Sequence, residues 1–442
     1  MKKIKLAYLG LIVLLSLLWW VADPLLPNGY EYFALRKLAI NYTGIIGIGV
    51  MSVGMMLALR PVLVEPALGG LDKTYRLHKW LGITGLVMSV IHWLWAQGTK
   101  WAVGWGWLVK PKRVPAPAQT DPILSFFEQQ RGLAESIGEW AFYAAVVLIV
   151  LALTKRFPYR LFFKTHRLLA IVYLFLVVHS VMLMPFDFWG HAVGPVMVLL
   201  MVGGTVGAAV SLSGRLGRRR RAVGEIDELV RFPDNRVLKV GIRFEDRWAG
   251  HQAGQFAFVT FDSAEGAHPF TISSGWADDG RLFFLIKGIG DYTARLPDLL
   301  QIGDLVVVEG PYGRFDFTSG KTRQIWVGGG IGITPFIARM KALAAKADGR
   351  NVDLFYSTAE PDEEFIGRLT RDAEAAGVNL HVLVSSRDGR LDVKRICNTV
   401  PQWSEADIWF CGPARFGQAL REGFTARSFS PDNFHQELFD MR

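Results

Sequence analysis

"LHKWLGITGLVMSVIHW", residues 77–93, is apolar enough to enter a bilayer, yet it carries a histidine near each end, His78 and His92. Ionisable side chains in a membrane segment are rare, face the bundle interior, and mark functional sites. Fourteen residues of helix rise roughly 21 Å, and at ~100° per residue the two imidazoles differ by only about 40° in azimuth. They share one helix face at two depths.

A second apolar segment, residues 166–185, opens on His166 and contains His179. Thirteen residues rise roughly 20 Å, nearly the same separation. If the two helices run in the same direction, His78 is level with His166 and His92 with His179. Two stacked pairs result, each able to clamp one haem iron axially through imidazole nitrogen. A single intramembrane histidine is equally well explained as a hydrogen-bonding core residue; two pairs with matched spacing are harder to explain that way. His166 and His179 differ by about 140° in azimuth, so an ideal helix does not aim both rings at one side. Either that helix tightens or bends locally, or its two haems lie on different sides of it.

The rest of the chain fits around these segments. Of 442 residues, 51% are hydrophobic, mean hydropathy is +0.24, and the apolarity is concentrated before residue 214. Six apolar stretches, near 6–23, 41–60, 79–97, 137–154, 166–185 and 191–213, are long enough to span a bilayer, which needs roughly 20 residues of helix. Lys2, Lys3 and Lys5 precede the first, but Trp19 and Trp20 stand where a small-residue cleavage site would be, so it reads as a retained helix. The net charge of +9 belongs to residues flanking apolar segments, as membrane topology requires, and argues against nucleic acid as a partner. With the N-terminus inside, the cytoplasmic flanks carry most of the Lys and Arg, including "GRLGRRRR" (214–221), a stop-transfer flank suited to anionic lipid. The outer loops carry fewer, chiefly in a long Pro-rich loop at 98–135 that includes "KPKR" (110–113). His191 and most tryptophans read as interfacial residues. Only two cysteines occur, Cys397 and Cys411, which excludes a disulfide framework and fits a reducing compartment.

The expected organisation is a membrane all-α six-helix bundle at 1–214, a basic linker at 215–224, an antiparallel β-barrel at 225–320 and an α/β parallel-sheet domain at 321–442. The barrel is read from alternating runs such as "RVLKVGIRF", "GQFAFVTF" and "RLFFLIKG". The parallel sheet is read from "QIWVGG", "VDLFYS", "LHVLVS" and "DIWFCG" alternating with helical segments. Within the barrel stand "HPFTISS" (268–274), "IKGIGDYTARL" (286–296) and "GPYGRF" (310–315). The Gly288 and Gly290 backbone, with Thr293 at a helix start, offers N–H groups to a pyrophosphate. In "IWVGGGIGITPFIARM" (325–340) a strand runs into Gly328, Gly329, Gly330 and Gly332, with Thr334 expected as N-cap and Pro335 in the first helical turn. It is neither a Walker loop nor a complete GxGxxG.

Taken together, these residues resemble the ferric reductase / NADPH oxidase superfamily, a six-helix di-haem membrane domain fused to a ferredoxin-reductase-like dehydrogenase. The resemblance covers nearly every residue after the first helix. It implies two b-type haems on His78, His92, His166 and His179, and FAD held by the "HPFT" segment. His268 would contact the phosphate–ribose portion, Phe270 would pack on the isoalloxazine, and Thr271 would reach its N5 edge. Pro269, Ser273 and Lys287 complete that segment's cofactor set, and Gly288 and Thr293 would hold the pyrophosphate. It also implies NAD(P)H at Gly329, Gly330, Gly332, Thr334 and Pro335, with Cys411, Gly412 and Pro413 near the nicotinamide. Ser386 and Arg387 in "VSSRDGR" favour NADPH through its 2′-phosphate, with NADH as the alternative. Cys411 is equally read as a buried strand-end thiol. In "FHQELFDMR", Phe439 is the first candidate to cover the flavin and Phe434 the second. Thr271, Cys411 and Phe439 form the expected catalytic set.

The implied activity is electron transfer from cytoplasmic NAD(P)H through FAD and two haems to an outer acceptor, either dioxygen or a ferric chelate. A haem-bearing anchor that hands electrons to a partner protein is the alternative. A flavoprotein-coupled proton or ion relay is a third reading of the histidines.

Overall fold

The computed structural model describes residues 1–23, 31–110, 120–154, 156–244 and 248–437. The chain divides into two compact units, residues 1–69 with 73–216, and residues 217–441 with the short segment 70–72.

The first unit is helical: α1 (Lys2–Ala22), α2 (Tyr32–Ala58), α3 (Leu71–Gly104), α4 (Pro122–Leu153), α5 (Tyr159–Leu183) and α6 (Val193–Leu212). Among the described residues, five of these are long and apolar enough to cross a membrane: α1, α2, α4, α5 and α6. The exception is α3, which carries His78 and His92. It is long enough at 34 residues, but His78, Lys79, His92 and Gln97 dilute its apolar run. The bundle packs around α2, with 56% of its apolar window buried. Lipid tails do not drive helices together, so small residues that let backbones approach supply the packing. A Cβ at Gly207 of α6 would lie 2.7 Å from the Met55 carbonyl oxygen of α2.

The expected outer loop at 98–135 is shorter than its sequence suggested. The α3 helix continues to Gly104, and α4 starts at Pro122, whose ring suits a first helical turn. Asp121 caps α4, its carboxylate accepting from Ile123 N at 2.7 Å and Leu124 N at 3.1 Å. Residues 111–113 of "KPKR" lie outside the described residues.

The second unit contains two sheets. Strands β1 (Arg221–Phe232), β2 (Val237–Phe244), β3 (Phe256–Thr260), β4 (His268–Thr271), β5 (Arg281–Lys287) and β6 (Leu305–Tyr312) pair antiparallel in the order β4-β3-β6-β1-β2-β5. A bridge between Ile272 and Phe284 joins the two edges and closes the barrel. The first strand begins at Arg221, so part of the basic run 215–224 belongs to the sheet. Helix α7 (Asp291–Leu299) follows β5.

Strands β7 (Arg323–Gly329), β8 (Asn351–Thr358), β9 (Asn379–Val384), β10 (Asp407–Cys411) and β11 (Phe434–Gln436) form a parallel sheet, β11-β10-β7-β8-β9. Its helices are α8 (Thr334–Ala345), α9 (Glu363–Ala376), α10 (Val393–Thr399) and α11 (Ala414–Thr425). Both faces are buried, as parallel sheets require. Trp326, Leu354, Tyr356, Trp409 and Cys411 face a core shared with barrel residues Phe232, Phe315 and Phe317. Ile325, Val327, Phe355, Ile408 and Phe410 face the opposite core.

Candidate functional site

The helical unit brings the four histidines together as two pairs. The ring centroids of His78 and His166 lie 5.9 Å apart at 66°, and those of His92 and His179 lie 6.2 Å apart at 77°. Helix α5 remains α-helical throughout, so no local tightening absorbs its 140° offset. Its two rings instead leave on different sides. His166 stacks on Phe162 one turn earlier, at 5.1 Å, whereas His179 turns toward α4, its Nδ1 lying 2.8 Å from the Ala134 carbonyl. On α3, where the offset is small, both rings look back at α2. His78 Nδ1 lies 2.9 Å from the Gly54 carbonyl and His92 Nδ1 lies 3.1 Å from that of Ile40.

A carbonyl only accepts, so these contacts call for the proton on Nδ1 of His78, His92 and His179, and in the neutral ring that leaves the Nε2 lone pair available. A ligating histidine is oriented in this way by its other nitrogen. His166 is the exception, because its Nδ1 is buried with no hydrogen-bond partner among the described residues.

The residues fit haem better than a bare metal ion. Among the described residues no group of three or more His, Cys, Asp or Glu is placed to hold a metal, whereas a bare zinc ion wants about four ligands. A pair of imidazoles suffices only for a metal that brings its own equatorial ligands. Two metal–nitrogen bonds of about 2 Å plus half a ring on each side match the observed centroid separations. A cavity of ≈ 830 Å³ also opens at the His92–His179 pair, lined by both histidines, Gly44 and Gly138. Arg36, Lys37, Lys100, Arg131, Glu128 and Glu135 contribute its charged lining.

The histidine orienters were not legible in the sequence, since carbonyls carry no signature. Glu139 was: a carboxylate in an apolar helix is a functional candidate by default. Its Oε1 accepts from Gln97 at 2.7 Å and Tyr143 at 2.6 Å beside the same cavity.

In the second unit, the strand order reverses between β7 and β10, and open α/β sheets bind ligands at such a switch point. Gly329, Gly330, Gly332, Thr334, Pro335, Cys411, Gly412 and Pro413 converge there. A Cβ at Gly332 would sit 2.2 Å from the Cys411 carbonyl oxygen, and one at Gly329 would sit 2.9 Å from Pro413 Cδ. Gly330 has open space but φ of +55°, so there conformation selects glycine.

Several expected roles change. Thr334 is not an N-cap: residues 330–333 form a 3₁₀ turn, Ile333 takes the cap position, and the Thr334 hydroxyl donates back to Ile331 O at 3.1 Å. The N–H groups at the "KGIG" turn are already used, Gly288 N on Arg236 O at 2.9 Å, and Ile289 N and Gly290 N on Thr293 Oγ1 at 3.1 Å. Any anion there is left with the first amides of α7, which have no intrahelical acceptor. Ser273 is buried, and its hydroxyl donates to Phe283 O at 2.9 Å. Cys411 is fully enclosed, and burial first, then the nearby Glu437 charge, pushes its thiol well above the ordinary range, so it stays protonated. Phe434 does not cover a flavin: it is buried in the sheet core between Phe410 and Phe424. Phe439 lies outside the described residues.

Along β4, Pro269 pairs with Phe258, Phe270 with Ala257 and Thr271 with Phe256. His268 stacks on Tyr292 at 4.7 Å and 23°, and burial lowers its pKa to about 4. Lys287 pairs with Glu360 at 2.6 Å. Ser386 and Arg387 lie exposed in the turn Ser385–Asp388 after β9, with Arg387 held by Asp388 at 3.1 Å.

Residues 43–177 match the family described as "Ferric reductase like transmembrane component", and residues 228–317 match "Oxidoreductase FAD-binding domain". Among curated proteins, the chain is similar to the toluate 1,2-dioxygenase electron transfer component of Pseudomonas putida, 26% identical over 199 residues, which are 42% of this chain and 58% of that protein. It is also similar to the flavohemoprotein of Candida norvegensis, 31% identical over 137 residues, which are 30% of this chain and 34% of that protein. The chain thus spans only part of each relative's length. Among solved structures it resembles a flavohemoglobin from Malassezia yamatoensis, at 18% identity and a TM-score of 0.49 over 92% of this chain and 97% of that one. It also resembles the flavohem-like FAD/NAD-binding domain of nitric oxide dioxygenase from Vibrio cholerae, at 20% identity and a TM-score of 0.43 over 49% and 98%.

Proposed function

We propose, from the premise that this chain belongs to the ferric reductase / NADPH oxidase superfamily, that it is a transmembrane flavocytochrome carrying electrons from NAD(P)H through FAD and two b-type haems to an acceptor across the membrane. When bound, FAD divides a two-electron hydride donor into single electrons, and the haems take them one at a time.

The observation that carries this reading is the pair of histidine pairs. The ring centroids of His78 and His166 lie 5.9 Å apart and those of His92 and His179 6.2 Å apart, the spacing that two imidazoles on one metal would need. Three of the four have Nδ1 against a carbonyl, which calls for the tautomer that leaves Nε2 free. His78 and His166 hold the inner position, and His92 and His179 the outer one beside the cavity. In the second unit, the Gly329–Gly332 turn and Gly412 give a dinucleotide close approach to the backbone. Phe270 and Thr271 orient the flavin, and Ser386 and Arg387 contact the 2′-phosphate of NADPH. The Lys/Arg bias sets the second unit in the cytoplasm, with the acceptor outside.

The acceptor is dioxygen or a ferric chelate, both served by outer-sphere transfer. Anaerobic reduction by NADPH followed by either acceptor tests the reading, with haem absorbance as the readout. Reduction of two haems, reoxidised by one acceptor, is the expected outcome. Reduction with no reoxidation by either would favour the anchor that hands electrons to a protein partner. Absence of b-type absorbance would overturn the reading.

A further inference from the structure

The hairpin between β1 and β2 places Arg236 in the left-handed region, at φ +55°. A non-glycine residue pays for that conformation only where its surroundings hold it, and such positions cluster at ligand sites. Here the Arg236 carbonyl accepts from Gly288 N at 2.9 Å, tying the hairpin to the turn that follows Lys287. Both side chains then reach across the junction between the barrel and the parallel sheet to one carboxylate. Arg236 Nη2 lies 2.5 Å from Glu360 Oε1 and Lys287 Nζ lies 2.6 Å from Glu360 Oε2.

Glu360 stands just past the carboxyl end of β8, on the side of the sheet where such folds bind ligands. Lys287 also adjoins Gly330 and Ile331 of the glycine-rich turn, with Asn235 and Tyr356, around a gap of only ≈ 10 Å³. Two cations on the two oxygens of one anion, beside the turn suited to a dinucleotide, is the arrangement a phosphate group would adopt.

We infer that Glu360 is a built-in latch: its carboxylate occupies the Arg236–Lys287 pair in the absence of dinucleotide, and a phosphate of NAD(P)H binds by displacing it. This rests on the nicotinamide reading above. The displaced group is the chain's own, so binding carries a cost that removing Glu360 abolishes. The diphosphate is common to both nucleotides, so the latch acts on NADPH and NADH alike, unlike any contact from Arg387.

The test uses the full-length, detergent-solubilised, FAD-loaded protein titrated with the unreactive NADP⁺ and NAD⁺. Glu360→Gln and Glu360→Ala should each tighten binding of both nucleotides by about five-fold, the scale of partly exposed ion pairs. Arg236→Gln should weaken both to a similar degree. The flavin content and melting temperature of each variant identify any failure to fold. Unchanged or weaker binding in folded Glu360→Gln would reduce the contact to a tie between lobes and overturn the inference. Wild-type protein that binds neither nucleotide would overturn the nicotinamide reading itself, a distinct result.

Discussion

A Cβ atom at Gly138 would lie 2.0 Å from Nδ1 of His179. The imidazole therefore occupies the space that any other residue at 138 would fill, and its Nδ1–H reaches Ala134 O, one turn earlier on α4. Gly138→Ala should expel the ring. Alanine favours helix over glycine by about 1 kcal/mol, so α4 itself should not suffer. The expected outcome is full-length protein with one haem instead of two, measured by the haem-to-protein ratio. Two haems retained in Gly138→Ala would count against His179 as a ligand.

The two pairs should fail at different points in electron flow. His92→Ala or His179→Ala should leave flavin reduction by NADPH intact and stop reoxidation by the outer acceptor. His78→Ala or His166→Ala should leave flavin reduction intact and prevent reduction of the outer haem. Stopped-flow spectra at flavin and haem wavelengths separate these outcomes. His166 Nδ1 has no hydrogen-bond partner among the described residues, so its replacement by glutamine, which cannot stack on Phe162 as well, should cost as much as alanine.

Much of the membrane unit was legible because helical rise depends on residue count alone. His78 and His92 share a face in the sequence and do so in the fold. His166 and His179 were ambiguous because azimuth describes where a side chain leaves a helix and is silent on which neighbour receives it. Phe162 and the Ala134 carbonyl decide that, and only one of them is a side chain. Thr334 was misread as a cap because a 3₁₀ turn inserted before α8 moves the helix start. Phe434, the second candidate for the flavin cover, opens "FHQELF", and an aromatic there fits a flavin cover and an edge strand equally well until β11 is seen to pair with β10. Glu360 had no sequence signal, since its partners lie 73 and 124 positions away.

Arg387 and Asp388 form an exposed pair at 3.1 Å, with Asp388 anchored by Val384 N at 2.9 Å. The carboxylate orients the guanidinium and also competes for it. A guanidinium contact to a phosphate is charge-assisted, so Arg387→Ala should raise KM for NADPH roughly ten-fold, with little change for NADH. Steady-state kinetics with both nucleotides decides it. Equal effects would remove Arg387 from 2′-phosphate recognition.

His268 ties flavin-domain stability to pH. Burial against Tyr292 lowers its pKa from 6.5 to about 4. Above pH 6.5 folded and unfolded chains are both neutral at this site, and stability does not depend on it. Between pH 6.5 and 4 the unfolded chain binds a proton that the folded chain refuses, so stability falls as pH falls, by up to about 1.4 kcal/mol per pH unit. Below pH 4 both forms are protonated and the dependence levels off. His251, buried with its Nε2 2.9 Å from Ser274 O, is shifted in the same direction by the same cause. Thermal melting of the full-length protein, followed by release of flavin fluorescence, should therefore shift downward from pH 6.5 to 4 and be nearly flat from 7 to 8. His268→Gln should shallow that slope without abolishing it, because His251 remains. A variant that melts with the wild-type slope would show that His268 takes up its proton equally in both states.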